Sequence, residues 1–301
     1  MKKAIFPLAV ALTLLAGCDT EEQAAQQLDT QLDEAVAEGP DLSDEVLRDL
    51  LQSIPAPLEI SMLIKETGAP YDRATLNDAS RRSDYNTNYQ KALNLGIYGT
   101  DLGYTNLYGQ SQDGIDYMQA VRDLADGLQI GQFFDFDLIR RLAGNADNLD
   151  SLLLITTQNF QQINQHLQER DRTNLSLLIL TGGWLEALHL TTAVVQSNPN
   201  NPELKEKVGE QKLVMDRVML LLEAYQSDPQ IALLYRNMKE LKAVFDEIEI
   251  VQTYEEPVME EIDGIMMMVD RSTSTVYITD EQLERIGALT GRIRNKMTAS
   301  N

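Results

Sequence analysis

The sequence predicts a mainly α fold: an irregular antiparallel helical bundle with a small C-terminal β-hairpin and a final helix. Three observations predict it. Apolar residues recur at three- and four-residue spacing from about Asp41 to Ile250. Capping residues followed by proline open helices at Asn201-Pro202 and Asp228-Pro229. After Tyr254 the apolar period shortens to that of strands before a last helical run. With 43 % hydrophobic residues in 301, the chain has enough apolar surface for a core. Its formal net charge of −22 removes the basic patch that nucleic acid would need. A single cysteine excludes an intrachain disulfide and every Cys-rich metal cluster.

The chain begins with a processing segment. Lys2 and Lys3 precede an apolar run, Ala4 to Leu15, broken only by Pro7 and Thr13. A spanning helix needs about 20 apolar residues, so residues 1–17 read as a signal peptide. The run ends in Leu15-Ala16-Gly17-Cys18, which resembles the bacterial lipoprotein box. That resemblance implies cleavage before Cys18, lipidation of its thiol and attachment to a membrane. Removing Lys2 and Lys3 leaves 23 basic against 47 acidic residues. Such a body is repelled by anionic head groups, so a domain held off the bilayer is expected. Asp19-Thr20-Glu21-Glu22 resembles a surface-export signal in some bacteria, and Asp19 alone resembles an inner-membrane retention signal in others. The two conventions conflict and the leaflet stays open. The cell envelope is the expected location, with the outer membrane favoured over the inner. Residues 18–40 carry no Lys or Arg and close on Gly39-Pro40, which reads as an acidic flexible tether.

Residues 41–255 form the predicted α-helical domain. Ser43 is placed to cap Asp44 to Ser53, and Pro57 to open a helix through Glu66. Helices are then expected from about Asp84 to Tyr108, Ser111 to Leu128, Asp135 to Ala143 and Asp147 to Glu169. Leu175 to Val195 is apolar nearly all round and reads as a central buried helix. Asp228-Pro229 launches Ile231, Leu234, Met238, Leu241, Phe245 and Ile248 at alternating spacing. Residues 256–301 are expected to fold onto the same domain. Ile262 to Val269 and Thr275 to Thr279 read as two strands joined through Asp270 to Ser274. Thr279-Asp280-Glu281-Gln282 is a capping box opening a helix with Leu283, Ile286, Thr290, Ile293 and Met297 on one face. Arg292, Arg294 and Lys296 near its end suit the helix dipole.

No motif with a catalytic mechanism emerges. Glu186 and His189 form one Glu-x-x-His, but the second copy needed by a di-iron bundle is missing, because Ile163 precedes His166. The alternative is a buried, hydrogen-bonded His189. There is no nucleophile elbow, Walker loop or dinucleotide fingerprint. No catalytic residue, metal site or cofactor is therefore expected, and the chain is not expected to be an enzyme. Gly96, Gly99 and Gly103 recur at helical spacing and suggest close helix packing. Tyr98, Asp101, Tyr104 and Tyr108 share one face of that helix. With Trp184 and Glu186 they could line a ligand pocket between two helices. They could equally be a buried hydrogen-bonded network and simple core packing.

The central region also resembles a family of uncharacterised bacterial envelope lipoproteins. The residues carrying this are Ile54-Pro55-Ala56-Pro57-Leu58-Glu59-Ile60, the run Lys91 to Tyr104, Gly131-Gln132-Phe133-Phe134-Asp135-Phe136, and Leu180 to Leu188. The resemblance implies an α-helical lipoprotein without an established activity, and supplies no catalytic residue. Two functions are consistent with these observations. One is a membrane-anchored, non-enzymatic envelope protein acting through contacts with a protein partner. The other is a ligand-binding lipoprotein with the tyrosine, tryptophan and carboxylate pocket described above.

Overall fold

The computed structural model describes residues 44–54, 64–65, 68–143, 149–253, 258–262, 265–269 and 273–299. Cys18, the tether, the Ser43 cap and most of the helix expected from Pro57 lie outside the described residues. Among the described residues there are nine α-helices and four short strands. The mainly helical bundle, the hairpin and the final helix are all present.

Helix α1 (Asp44–Gln52) comes first. A largely irregular segment with two 3-10 turns, Arg73–Thr75 and Ala79–Asp84, leads to α2 (Asn88–Leu107). Helix α2 starts later than its apolar pattern suggests, for a chemical reason. Thr87 accepts from the Gln90 backbone N–H, and the Gln90 side chain accepts from that of Thr87, so a capping box fixes the start. Gly109, at φ +65°, turns the chain into α3 (Ser111–Gly127). Helix α4 (Phe136–Ala143) is capped by Asp135, whose carboxylate accepts from Leu138 N–H at 2.9 Å. Helices α5 (Leu149–Gln168) and α6 (Thr173–Ser197) follow. Asn201 and Asp228 cap α7 (Pro202–Ala224) and α8 (Pro229–Asp246), each with proline in the first turn.

The core is organised around α2 and α6, the pair with the largest helix–helix contact. Their axes approach closely because each presents a glycine to the other. A Cβ on Gly96 would meet the Ile179 carbonyl oxygen, and one on Gly182 would meet that of Leu93. Thr100 adds a crossing hydrogen bond, donating to the Gly183 carbonyl at 3.1 Å. Helix α6 is, among the described residues, the one helix long and apolar enough to cross a membrane, and most of its apolar stretch is buried inside the bundle.

The strands depart from expectation. β1 (Glu249–Thr253) pairs antiparallel with β4 (Thr273–Tyr277), and β2 (Val258–Ile262) with β3 (Ile265–Val269). The hairpin register Ile262↔Ile265 leaves only Asp263-Gly264 between β2 and β3. Ile262 and Ile265–Val269 therefore belong to two strands paired with each other, and β3 does not pair with β4. An Asp-Gly pair is among the strongest two-residue hairpin signals, and it outweighs the continuous apolar run. Strand β1 also begins at Glu249, inside the stretch expected to be helical. Val276 is buried on the inner side of the β1–β4 pair, against Gly209 of α7. Helix α9 (Asp280–Thr298) closes the molecule on α2, α6 and α8. Its predicted stripe of Leu283, Ile286, Thr290, Ile293 and Met297 is buried.

Candidate functional site

The predicted tyrosine stripe is real and faces the segment between residues 69 and 85. Tyr98 donates to the Asp78 carbonyl at 2.8 Å, and Tyr108 to that of Ala69 at 2.7 Å. Tyr104 accepts from the Asp72 backbone N–H at 3.2 Å. Tyr71 extends the group, stacking on Tyr104 at 5.4 Å and donating to Asp113, which Arg73 also binds at 2.7 Å. Irregular backbone has no ladder of its own, so these phenols satisfy polar groups that burial would otherwise strand. Burial and a neighbouring phenol push the Tyr108 hydroxyl up to about 12, so it remains a donor at neutral pH.

Asp101 and Glu186 come together beneath this segment. Both are 0 % exposed. Helix α9 supplies a residue absent from the predicted set: Arg294, 8 % exposed, forks onto Glu186 at 2.5 and 2.7 Å and donates to the Thr75 carbonyl at 3.2 Å. Such a bidentate pair is the arrangement that best offsets desolvation of both charges. Asp101 accepts from the Asn77 N–H at 3.2 Å through one oxygen, while its other oxygen, Oδ1, has no partner as a carboxylate. Burial first, and then the Glu186 charge, hold the Asp101 carboxyl well above its ordinary value of 3.8. A proton on Asp101 satisfies the orphan oxygen and turns repulsion from Glu186 into a hydrogen bond. The pKa of His189, the other half of the Glu-x-x-His, is lowered below the ordinary imidazole value, mainly by burial. Among the described residues no three His, Cys, Asp or Glu side chains gather in metal-binding range.

Trp184 points elsewhere. It is buried towards α7, where its indole N–H donates to Gln211 Oε1 at 3.0 Å. So the structure brings Asp101 and Glu186 together, sets the three tyrosines on the 69–78 segment, and turns Trp184 to another neighbour. The six do not line one concavity.

A cavity of about 330 Å³ does lie between the glycine-bearing helix and the Trp184 helix, on the opposite face of α2 from the tyrosines. Leu95, Gly96, Gly99 and Thr100 of α2 form one wall. Ile179, Leu180 and Gly183 of α6 form a second, and α5 contributes Phe160, Ile163, Asn159 and Asn164. Leu51 and Ile54, at and just beyond the end of α1, with Val121 and Phe134, complete the apolar lining. Among the described residues no charged side chain lines it, although the chain carries 72 of them, 25 basic and 47 acidic. Gly99 is the informative position. It is exposed in the middle of an otherwise buried stretch of α2, and a Cβ there would touch nothing within 4 Å. Unlike Gly96, it is not required by packing. Glycine in a helix interior costs about 1 kcal/mol relative to alanine, and here the missing side chain keeps the mouth of the cavity open.

None of the α5 residues stands out as a site residue in the sequence. A signal existed: Asn164 follows Phe160 by four and precedes Leu167 by three, which places an amide on the apolar stripe. Arg294 had the same signature, four residues after Thr290 and three before Met297. No protein-family model, curated protein or solved structure matches the chain. The site is thus defined by its own chemistry.

Proposed function

We propose that this chain is a cell-envelope lipoprotein, anchored through Cys18, that binds a small apolar ligand in the cavity between α2, α5 and α6. The observation carrying this reading is the largely apolar cavity, with no charged side chain among its described lining residues, reaching solvent at Gly99 in a strongly acidic molecule. Its volume falls within the range of ordinary small-molecule sites. The anchor rests on the n-region, apolar run and Leu15-Ala16-Gly17-Cys18 box of the sequence. Binding requires no catalytic group.

The test is saturation of an environment-sensitive apolar fluorophore, 1-N-phenylnaphthylamine, on the purified full chain. One saturable site is expected, and Gly99→Leu should abolish it while leaving the unfolding midpoint at or above that of the parent. Equal saturation in both proteins would overturn the reading. The anchor is tested separately: Cys18→Ser should move the protein out of the membrane fraction and end incorporation of labelled palmitate.

A second reading, action through protein contacts, is favoured by the strands. Val251 and Tyr277 are exposed on the outer side of the β1–β4 pair, and Met259 and Met266 are exposed on β2 and β3. Under that reading, Val251→Glu with Tyr277→Glu should remove crosslinked adducts from intact cells without changing fluorophore binding.

A further inference from the structure

The cavity has two buried polar atoms without partners, and their chemistry narrows the ligand. Asn164 is 5 % exposed, and its Oδ1 accepts no hydrogen bond. The Nδ2 of Asn159, also buried, donates none. Both residues line the cavity and both stand on α5. A buried amide atom left unpaired forfeits its hydration without recompense, so the pair is a standing demand for one acceptor and one donor. We propose that the ligand is a neutral molecule joining a hydrocarbon segment to a secondary amide, its C=O accepting from Asn159 and its N–H donating to Asn164.

The chemistry suits that group. Residues five apart rise about 7.5 Å along a helix and turn about 140° about its axis, yet both amides line the same cavity. In a trans secondary amide the C=O and N–H point in opposite directions, so one group serves an acceptor and a donor set apart, with about 2.9 Å for each hydrogen bond. Neutral groups without a donor fit less well. An ester or ketone offers acceptors and leaves Asn164 Oδ1 unpaired. A carboxylate or ammonium would be desolvated against a lining that offers, among the described residues, no charged side chain to pair with it. The hydrocarbon lies against Leu95, Val121, Phe160, Ile163 and Leu180.

This proposal rests on the cavity being a binding site, and the experiment separates the two. Displacement of bound 1-N-phenylnaphthylamine from the full chain is measured with N-pentylhexanamide, pentyl hexanoate and sodium undecanoate, compounds of similar length. The amide is expected to displace the fluorophore at about one tenth of the ester's concentration, with the carboxylate weakest. In Asn164→Leu the ester and amide should fall within about twofold of each other, because the unpaired acceptor is gone. A Tm of that variant within a few degrees of the parent supports a role in binding; Asn159→Leu, which should weaken both compounds alike, gives an independent check. Equal potency of ester and amide on the parent, with displacement still blocked by Gly99→Leu, overturns the amide assignment and leaves the site. Failure of the fluorophore to bind overturns the site itself.

Discussion

Breaking the Glu186–Arg294 pair should cost more than losing any surface ion pair, because Glu186 keeps its burial when its counter-ion goes. Arg294→Ala is expected to lower unfolding free energy by about 3–5 kcal/mol, measured by urea titration at neutral pH. The exposed Arg285–Glu247 pair, bonded at 2.7 and 3.0 Å, is the contrast: Arg285→Ala should give no resolvable change, since solvent screens both partners. Asp101 makes a different prediction. Its carboxyl is raised above the ordinary value of 3.8 in the folded protein, so the folded state binds the extra proton. Stability from this group is therefore fully present below about pH 4, and is lost as pH rises towards the folded value. Asp101→Asn keeps a donor for Glu186 and cannot ionise. The variant should gain stability relative to the parent as pH rises above about 4. Parallel curves for the two proteins across pH 4–8 would show that Asp101 does not hold the proton. The two acids were legible in the sequence because each is an isolated carboxylate in a buried helix. Arg294 was not, since its neighbours Arg292 and Lys296 made it look like one of a solvated set.

At the scale of elements, three glycines on two helices divide into two kinds, and substitution tells them apart. A Cβ on Gly96 or Gly182 runs into backbone carbonyl oxygen, which cannot rotate away as a side chain could. Alanine at either position has to push α2 and α6 apart and should destabilise by about 3 kcal/mol or more. Gly99→Ala meets nothing and should stabilise by about 1 kcal/mol through helix propensity and a less disordered unfolded chain. Thermal unfolding of the three variants checks the ordering; destabilisation by Gly99→Ala would show that something packs there. The glycine spacing announced close helix contact, and at Gly96 that is what it means. Spacing alone could not separate Gly99, because a packing glycine and a gate glycine are identical in sequence and differ only in what lies opposite. Caps with a side-chain mechanism were the most legible boundaries: Asn201, Asp228 and Thr279 all bond the helices they precede. The strand pairing is harder to read, because a run of apolar residues, Ile265 to Val269, overshadows the Asp-Gly pair before it. The cavity was least legible of all, since it is made of ordinary residues from α2, α5 and α6 whose juxtaposition no local pattern encodes.

Across the whole molecule, the last helix is what joins the parts. Four contacts from α9 reach elements far back in the chain. Arg294 pairs with Glu186 of α6 and reaches the Thr75 carbonyl. Asn94 of α2 donates to the Met297 carbonyl at 3.1 Å, and Arg81 donates to that of Thr298. The tyrosine-laced segment, the acid pair and the α2–α6 contact thus share one closing element. A chain ending at Thr279 would retain Glu186 with no cation and expose the surface covered by Leu283, Ile286, Ile293 and Met297. Each such side chain contributes about 1.5–3 kcal/mol on full burial, and a domain is stable by only about 5–15 kcal/mol. That chain is expected to keep much of its helical circular dichroism while losing a cooperative urea transition, as packing fails before local helices do. Supplying residues 280–299 as a separate peptide should restore the transition, and the same peptide carrying Arg294→Ala should restore it at a much lower urea midpoint. A shortened chain that unfolds cooperatively at the parent midpoint would mean that α9 rests on a finished core instead of completing it.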